Sequence, residues 1–159
     1  METWDDAARW ALDGIWVQIR RQPRADIVQL RSDLDYFIDE LFHAPAGFEK
    51  ASALWSVLGG DAVEMSQKRG TPLTKDAVHA TLIRKQRDYG HENIRRFGRQ
   101  GLLVRMHDKI ARLENLLSSA DGGGKPQNES IEDNIMDVIG YAAIGMMWES
   151  RLFLLPLAE

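Results

Sequence analysis

The 159-residue sequence contains no cysteine, which excludes disulfide bonds and thiolate metal sites. Any bound metal would need oxygen or imidazole ligands, and this favours hard cations such as Mg²⁺, with Mn²⁺ as the other candidate. The absence of cysteine also agrees with a reducing compartment.

The sequence also lacks a long apolar run and a basic N-terminal segment. The longest uncharged run, Val138 to Trp148, is much shorter than the roughly 20 residues that a membrane-spanning helix needs. Asp5 and Asp6 lie where a secretory signal peptide would carry basic residues. We therefore expect no membrane association and a cytoplasmic location.

Basic residues are not in excess. Twenty Lys and Arg against 24 Asp and Glu give a formal charge of −4, which argues against general nucleic-acid binding. Hydrophobic residues make up 44% of the chain and charged residues 28%, as in ordinary soluble domains. The length fits one domain with a substantial core.

No segment alternates convincingly between apolar and polar residues, as a half-buried strand would. Apolar residues recur instead at helical spacing, with breaks at glycine and proline. Helices are predicted over 4–19, 27–41, 48–58, 61–69, 74–89 and 101–117, and from Asn128 or Ser130 onward. The expected fold is an all-α bundle of five to seven helices, in which an N-terminal helical region (1–70) packs on a core formed by 71–159.

An acidic stripe runs along the start of the last predicted helix, at Glu129, Asp133 and Asp137. A Ser130–Asp133 capping box and the helix dipole account for the first two acids, but not for Asp137 two turns in. The second half of this helix is apolar all round, which indicates burial. A carboxylate there needs a cationic partner or a metal, and periodicity leaves both open.

The preceding helix carries a mostly basic face formed by Arg105, Asp108, Lys109 and Arg112. Taken alone, this face is typical of a solvated surface with an Asp108–Arg112 pair. If it instead lies opposite the acidic stripe, Asp108 could complete a three-carboxylate metal site. The three basic residues would then neutralise phosphates.

Lys85 lies in the middle of an apolar stripe on the helix that begins after Thr74. Buried lysines are rarely unpaired, so this side chain either extends to the helix edge or points into a cavity with an anionic ligand. The following turn contains His91 and Asn93, which could place polar groups near such a cavity.

Three spaced patterns resemble the nucleotide modification associated domain 1 family, over residues 75–150. They are Lys85-x-x-x-Tyr89-Gly90, Gly101-x-x-Val-Arg-x-x-Asp-Lys-x-x-Arg-Leu113 and Glu129-Ser-x-x-Asp133-x-x-x-Asp137-x-x-x-Tyr141. That family is similar to the MazG-like, all-α nucleoside triphosphate pyrophosphohydrolases, many of them from phages. The resemblance implies a Mg²⁺-dependent cleavage of a (deoxy)nucleoside triphosphate into monophosphate and pyrophosphate.

With the resemblance included, the expected site contains acidic residues, basic residues and polar residues that contact the substrate. The catalytic candidates are Asp108, Asp133 and Asp137, and Glu129 joins them as a metal ligand. The substrate and phosphate ligands are expected to be Lys85, Tyr89, Asn93, Arg105, Lys109 and Arg112.

One departure from the MazG-like pattern keeps other functions open. Those enzymes carry an E-x-x-E stretch on the first helix of the pair, where this chain has only Asp108. Asp61 and Glu64, on another predicted helix, could replace it. The alternatives are a nucleotide-binding protein without catalysis and a helical interaction module. We also expect a homo-oligomer, a dimer or tetramer, because a two-helix site with apolar flanks needs covering and the C-terminal tail is apolar.

Overall fold

The computed structural model describes residues 1–19, 26–70, 72–120 and 130–159, and these parts contain seven helices and no strand. The helices are α1 Trp4–Val17, α2 Ile27–Leu41, α3 Glu49–Lys68, α4 Lys75–Tyr89, α5 Glu92–Arg95, α6 Gly98–Ala120 and α7 Ile131–Glu149. The predicted all-α class is confirmed. Among the described helices there is no candidate for a transmembrane span.

Side-chain caps fix the starts of the two helices that carry Lys85 and Asp137. The Thr74 hydroxyl accepts a hydrogen bond from the Ala77 N–H at 3.1 Å at the start of α4. At the start of α7, Ser130 Oγ accepts from the Asp133 N–H at 3.0 Å, and Asp133 Oδ2 accepts from the Ser130 N–H at 3.4 Å. The predicted Ser130–Asp133 capping box is therefore confirmed, and both caps satisfy backbone groups that the helices leave open.

The predicted break at Gly59 and Gly60 is wrong, because α3 continues through both residues. A Cβ on Gly59 would lie 2.8 Å from Ile15 Cδ1, and one on Gly60 would lie 3.3 Å from the Gln18 carbonyl oxygen. The two glycines therefore allow α1 to approach α3 closely. Their lack of a side chain serves helix packing here, whereas the sequence pattern had suggested a helix terminus.

Helix α7 lies at the centre of the bundle and packs against α1, α3, α4 and α6. The apolar stripe of α7 is buried, and it consists of Ile131, Ile135, Val138, Ile139, Ala142 and Met146. The apolar stripe of α6 is also buried at Leu102, Leu103, Met106, Ile110 and Leu113, whereas Leu117 at its C-terminal end is only partly buried. Gly145 lets the Trp55 indole of α3 pack directly on α7, since an added Cβ would overlap the ring. The C-terminal tail returns to the body, where Phe153 is buried and the Pro156 carbonyl accepts from the Trp4 N–H at 2.7 Å.

A buried ion pair joins the N-terminal end of α6 to the C-terminal end of α7. Arg99 Nε and Nη2 each donate to a different oxygen of Glu149, both at 2.7 Å. The side chains of Arg99 and Glu149 are 4% and 1% exposed. This two-bond geometry between guanidinium and carboxylate is the strong form of such a pair.

Other contacts of the Arg99–Glu149 pair reach the segment between α2 and α3. Arg99 also donates to the carbonyl oxygens of Leu41, Ala44 and Pro45 at 2.7–2.9 Å. Glu149 also accepts from the Gly47 N–H at 3.1 Å and from Trp55 Nε1 at 3.2 Å. One pair of side chains thereby ties together α2, α3, α6 and α7.

The N-terminal end of α4 is attached to α1 by polar contacts. Arg9 donates to Asp76 at 2.6 Å, Lys75 binds Asp13 at 2.7 Å, and the His79 ring lies 2.8 Å from the Asp5 carbonyl oxygen. The hydrogen bond from Arg9 holds the pKa of the Asp76 carboxyl below its usual value. These contacts anchor one end of α4 while its other end, with Lys85 and Tyr89, approaches α6 and α7.

Glu149→Gln tests the importance of the buried pair, because it keeps the side-chain shape and removes the charge. Arg99 would become a buried cation without its counterion, so we expect a loss of roughly 3–5 kcal/mol in the free energy of unfolding. Urea denaturation followed by circular dichroism measures it.

The matched control is Glu2→Gln, which alters an exposed carboxylate and should change stability by less than about 0.5 kcal/mol. A loss below about 1 kcal/mol for Glu149→Gln, the size expected of an exposed pair, would contradict this account.

Candidate functional site

A pocket of about 370 Å³ opens where α4 and α5 meet α6 and α7. Its volume lies within the range of roughly 300–1,000 Å³ that is usual for small-molecule sites. The apolar lining consists of Val78, Leu82, Ile94, Met136 and Gly140. The polar and charged lining consists of Thr81, Lys85, Tyr89, Asn93, Arg105, Lys109, Asp137 and Tyr141. The pocket therefore combines an apolar wall with several polar groups.

Helical periodicity explains which residues face the pocket from α4 and α6. On α4, Thr81, Lys85 and Tyr89 follow one another at four-residue intervals and share one face. On α6, Arg105 and Lys109 have the same spacing. Each helix thus presents one stripe of polar side chains to the pocket.

Helix α7 contributes the third wall with Asp137, Gly140 and Tyr141. A Cβ on Gly140 would lie 3.0 Å from Leu82 Cδ2. The lack of a side chain at Gly140 therefore lets α4 come close enough for Lys85 to reach Asp137.

Asp137 is bound by two lysines from two different helices. Lys85 Nζ of α4 lies 3.0 Å from Asp137 Oδ1, and Lys109 Nζ of α6 lies 2.8 Å from Asp137 Oδ2. The side chains of Asp137 and Lys109 are 16% and 17% exposed, while that of Lys85 is 46% exposed. The sequence left open whether Asp137 pairs with a cationic side chain or binds a metal. In the structure it forms ion pairs with both lysines. Lys85 both extends to the helix edge and lines the cavity.

The remaining polar lining comes from α6 and the α5 region. Arg105 Nη2 donates to the Asn93 carbonyl oxygen at 3.5 Å. The Asn93 Oδ1 atom is buried and has no hydrogen-bond partner within the part of the chain that the structure describes. Tyr89 is 66% exposed at the rim, and Tyr141 is half-buried. A buried acceptor without a donor is unusual in a folded protein, and here it belongs to a residue that lines the pocket.

Three other predicted site residues lie apart from this pocket. Asp133 is exposed and serves the helix cap, and Asp108 is exposed on α6. Asp108 precedes Lys109 and so points about 100° away from it around the helix. Arg112 does not line the pocket, and Glu129 lies outside the described residues.

No three acidic or histidine side chains in the described ranges come together to hold a metal ion. The acids Asp108, Asp133 and Asp137 are therefore not brought into one cluster. Asp61 and Glu64 are buried on α3 and do not line the pocket. The His91 ring nitrogens lie 2.7 Å from Gln86 Nε2 and 3.0 Å from the Leu155 carbonyl oxygen, so His91 attaches the C-terminal tail.

Sequence reasoning missed part of the pocket lining. Thr81 follows the same four-residue spacing as Lys85 and Tyr89, so the stripe itself was the available signal. Met136 and Ile94 are apolar residues of the kind that every core stripe contains, and no sequence pattern separates them from the core.

Comparisons of the chain with protein-family models, with curated proteins and with solved structures found no match. The family resemblance described above therefore stays a prediction.

Asp137→Asn should destabilise the protein, because it removes the carboxylate that lies between two ammonium groups. Hydrogen bonds to charged groups contribute roughly 1.5–3 kcal/mol each, and Lys85 is partly exposed, so we expect a total loss of about 1–3 kcal/mol. Urea denaturation at low salt is the measurement.

Asp88→Asn is the control, since Asp88 is an exposed carboxylate of α4 that does not line the pocket. Unchanged or increased stability of Asp137→Asn would show that the two ion pairs do not stabilise the fold.

Proposed function

We propose that this chain binds a nucleotide, or a closely similar phosphate ester with an aromatic group, in the pocket between α4, α6 and α7. The observation that carries the proposal is the convergence of Lys85, Arg105 and Lys109 with Tyr89 and Tyr141 on one cavity. These residues come from three helices, and a solvated charged face on one helix would not bring them together.

The charges of the pocket favour an anionic ligand. Among the described residues that line it, three are cationic and Asp137 is the one carboxylate. Both lysines already bind an anionic group there, at 2.8 and 3.0 Å. Lysine and arginine are the usual ligands of phosphate groups, arginine through paired N–H donors and lysine as a point charge.

The other lining residues suit the nonpolar part of a nucleotide. Tyr89 and Tyr141 offer aromatic rings beside the cations, and stacking of a base on such a ring contributes roughly 1–3 kcal/mol. Val78, Leu82 and Ile94 form an apolar wall against which a base can lie. Asn93 adds a side-chain amide, which has both donors and an acceptor, to the same lining.

Hydrolysis of a bound nucleoside triphosphate is the second candidate, as the family resemblance implies. The observation that favours it is the position of Asp137, a carboxylate inside the cationic pocket. Mg²⁺ is commonly held by one or two carboxylates together with the phosphates of the substrate. In that role Asp137 would be the protein ligand, and no three acidic or histidine side chains among the described residues come together as a larger site.

Lys109→Met should weaken nucleotide binding, because it removes a mostly buried cation and keeps the aliphatic stem. The loss of one charged hydrogen bond, about 1.5–3 kcal/mol, corresponds to roughly 10–150-fold in Kd. Isothermal titration calorimetry with adenine, guanine, cytosine and thymine nucleotides measures it. Arg84→Met is the matched control, because Arg84 is an exposed cation of α4 outside the pocket.

Failure of every nucleotide to bind at millimolar concentration would overturn the proposal and leave the interaction module as the better hypothesis. Equal weakening by Lys109→Met and Arg84→Met would point to nonspecific attraction. Release of pyrophosphate from a triphosphate with Mg²⁺, abolished by Asp137→Asn, would support the second candidate.

A further inference from the structure

We infer that the pocket recognises a single terminal phosphate group, as in a nucleoside monophosphate, and that Asp137 is the residue that disfavours longer polyphosphates. This inference rests on the proposed function and adds the class of phosphate that the site accepts. It concerns how the charges are arranged around Asp137, which the excess of cations in the pocket lining does not by itself specify.

The two lysines converge on one small anionic group, the Asp137 carboxylate. Their ammonium groups lie 3.0 and 2.8 Å from the two oxygens of the same carboxylate, although Lys85 and Lys109 come from different helices. Each ammonium group carries three N–H donors, so one phosphate group that lies beside the Asp137 carboxylate can contact both lysines. Cations that bind a chain of phosphates would instead be spread along its length.

Arg105 adds a third donor group to the same region. It lies one helical turn before Lys109 on the same face of α6. Its contact with the Asn93 carbonyl, at 3.5 Å, is at the long end of hydrogen-bond distances. The guanidinium can therefore turn towards a phosphate oxygen with little loss, which gives one phosphate group three cationic partners.

Asp137 limits how much negative charge can enter. Its side chain is 16% exposed and lies well inside α7, a helix that packs on four others. The carboxylate therefore cannot move far when a ligand arrives. A single phosphate can share the two lysines with Asp137, but each additional phosphate adds negative charge close to a carboxylate that water only partly screens.

The test is calorimetric titration of the parent protein and of Asp137→Asn with adenosine, AMP, ADP and ATP, and with the corresponding thymidine series. Each titration is run with EDTA and again with Mg²⁺. For the parent protein we expect the monophosphate to bind tightest, with the triphosphate weaker by about tenfold or more. For Asp137→Asn we expect the monophosphate and triphosphate Kd values to come within about threefold of each other. Asp88→Asn, outside the pocket, should keep the ranking of the parent protein.

Tighter binding of the triphosphate than of the monophosphate by the parent protein, with EDTA or with Mg²⁺, would overturn the inference. An unchanged preference in Asp137→Asn would also overturn it, because Asp137 would then not be the determinant. The parent ranking needs no variant and so stands even if Asp137→Asn folds poorly. If no nucleotide binds the parent protein, the proposed function fails; if nucleotides bind without regard to phosphate number, only this inference fails.

Discussion

The buried pair between Arg99 and Glu149 is the constraint on which the rest of the structure depends. Both side chains are almost completely inaccessible to water, and neither charge could remain there without the other. The pair is satisfied only when α6, α7, the end of α2 and the start of α3 are all in place, because each provides a donor or an acceptor. Such a network contributes little net stability over an apolar core, but it strongly disfavours other arrangements of these helices.

The pocket follows from that constraint. Lys109 lies roughly 15 Å along α6 from Arg99, and Asp137 lies roughly 18 Å along α7 from Glu149, at 1.5 Å per residue. The two helices run antiparallel and are joined at one end by Arg99–Glu149 and near the middle by Lys109–Asp137. The first contact fixes their relative position, and the second then brings the charges of the pocket together. Helix α4 completes the pocket, because its Lys85 binds Asp137. The N-terminal end of α4 is attached to α1 through Arg9 and Asp76.

Much of this arrangement could be predicted from the sequence. The remaining parts could not be predicted, and in each case there is a physical reason. The helices, the Thr74 and Ser130 caps and the buried stripes depend on local patterns, which one sequence contains in full. Helix α3 continues through Gly59, where the missing side chain makes room for Ile15 of α1. This contact joins residues far apart in the sequence, so no local pattern predicts it. Arg99 and Glu149 resemble surface residues in sequence, because their burial depends on each other. The Lys85–Asp137 contact joins residues 52 positions apart.

The central claim is that an anionic nucleotide occupies the pocket between α4, α6 and α7, and backbone amide NMR during titration with a nucleoside monophosphate tests it most directly. We expect saturable shifts concentrated at Tyr89, Asn93 and Gly140, which line three sides of the cavity. Amides of α2, which contributes no residue to the pocket, should change little. Saturable shifts centred elsewhere in the bundle, or none at all at millimolar ligand, would contradict it.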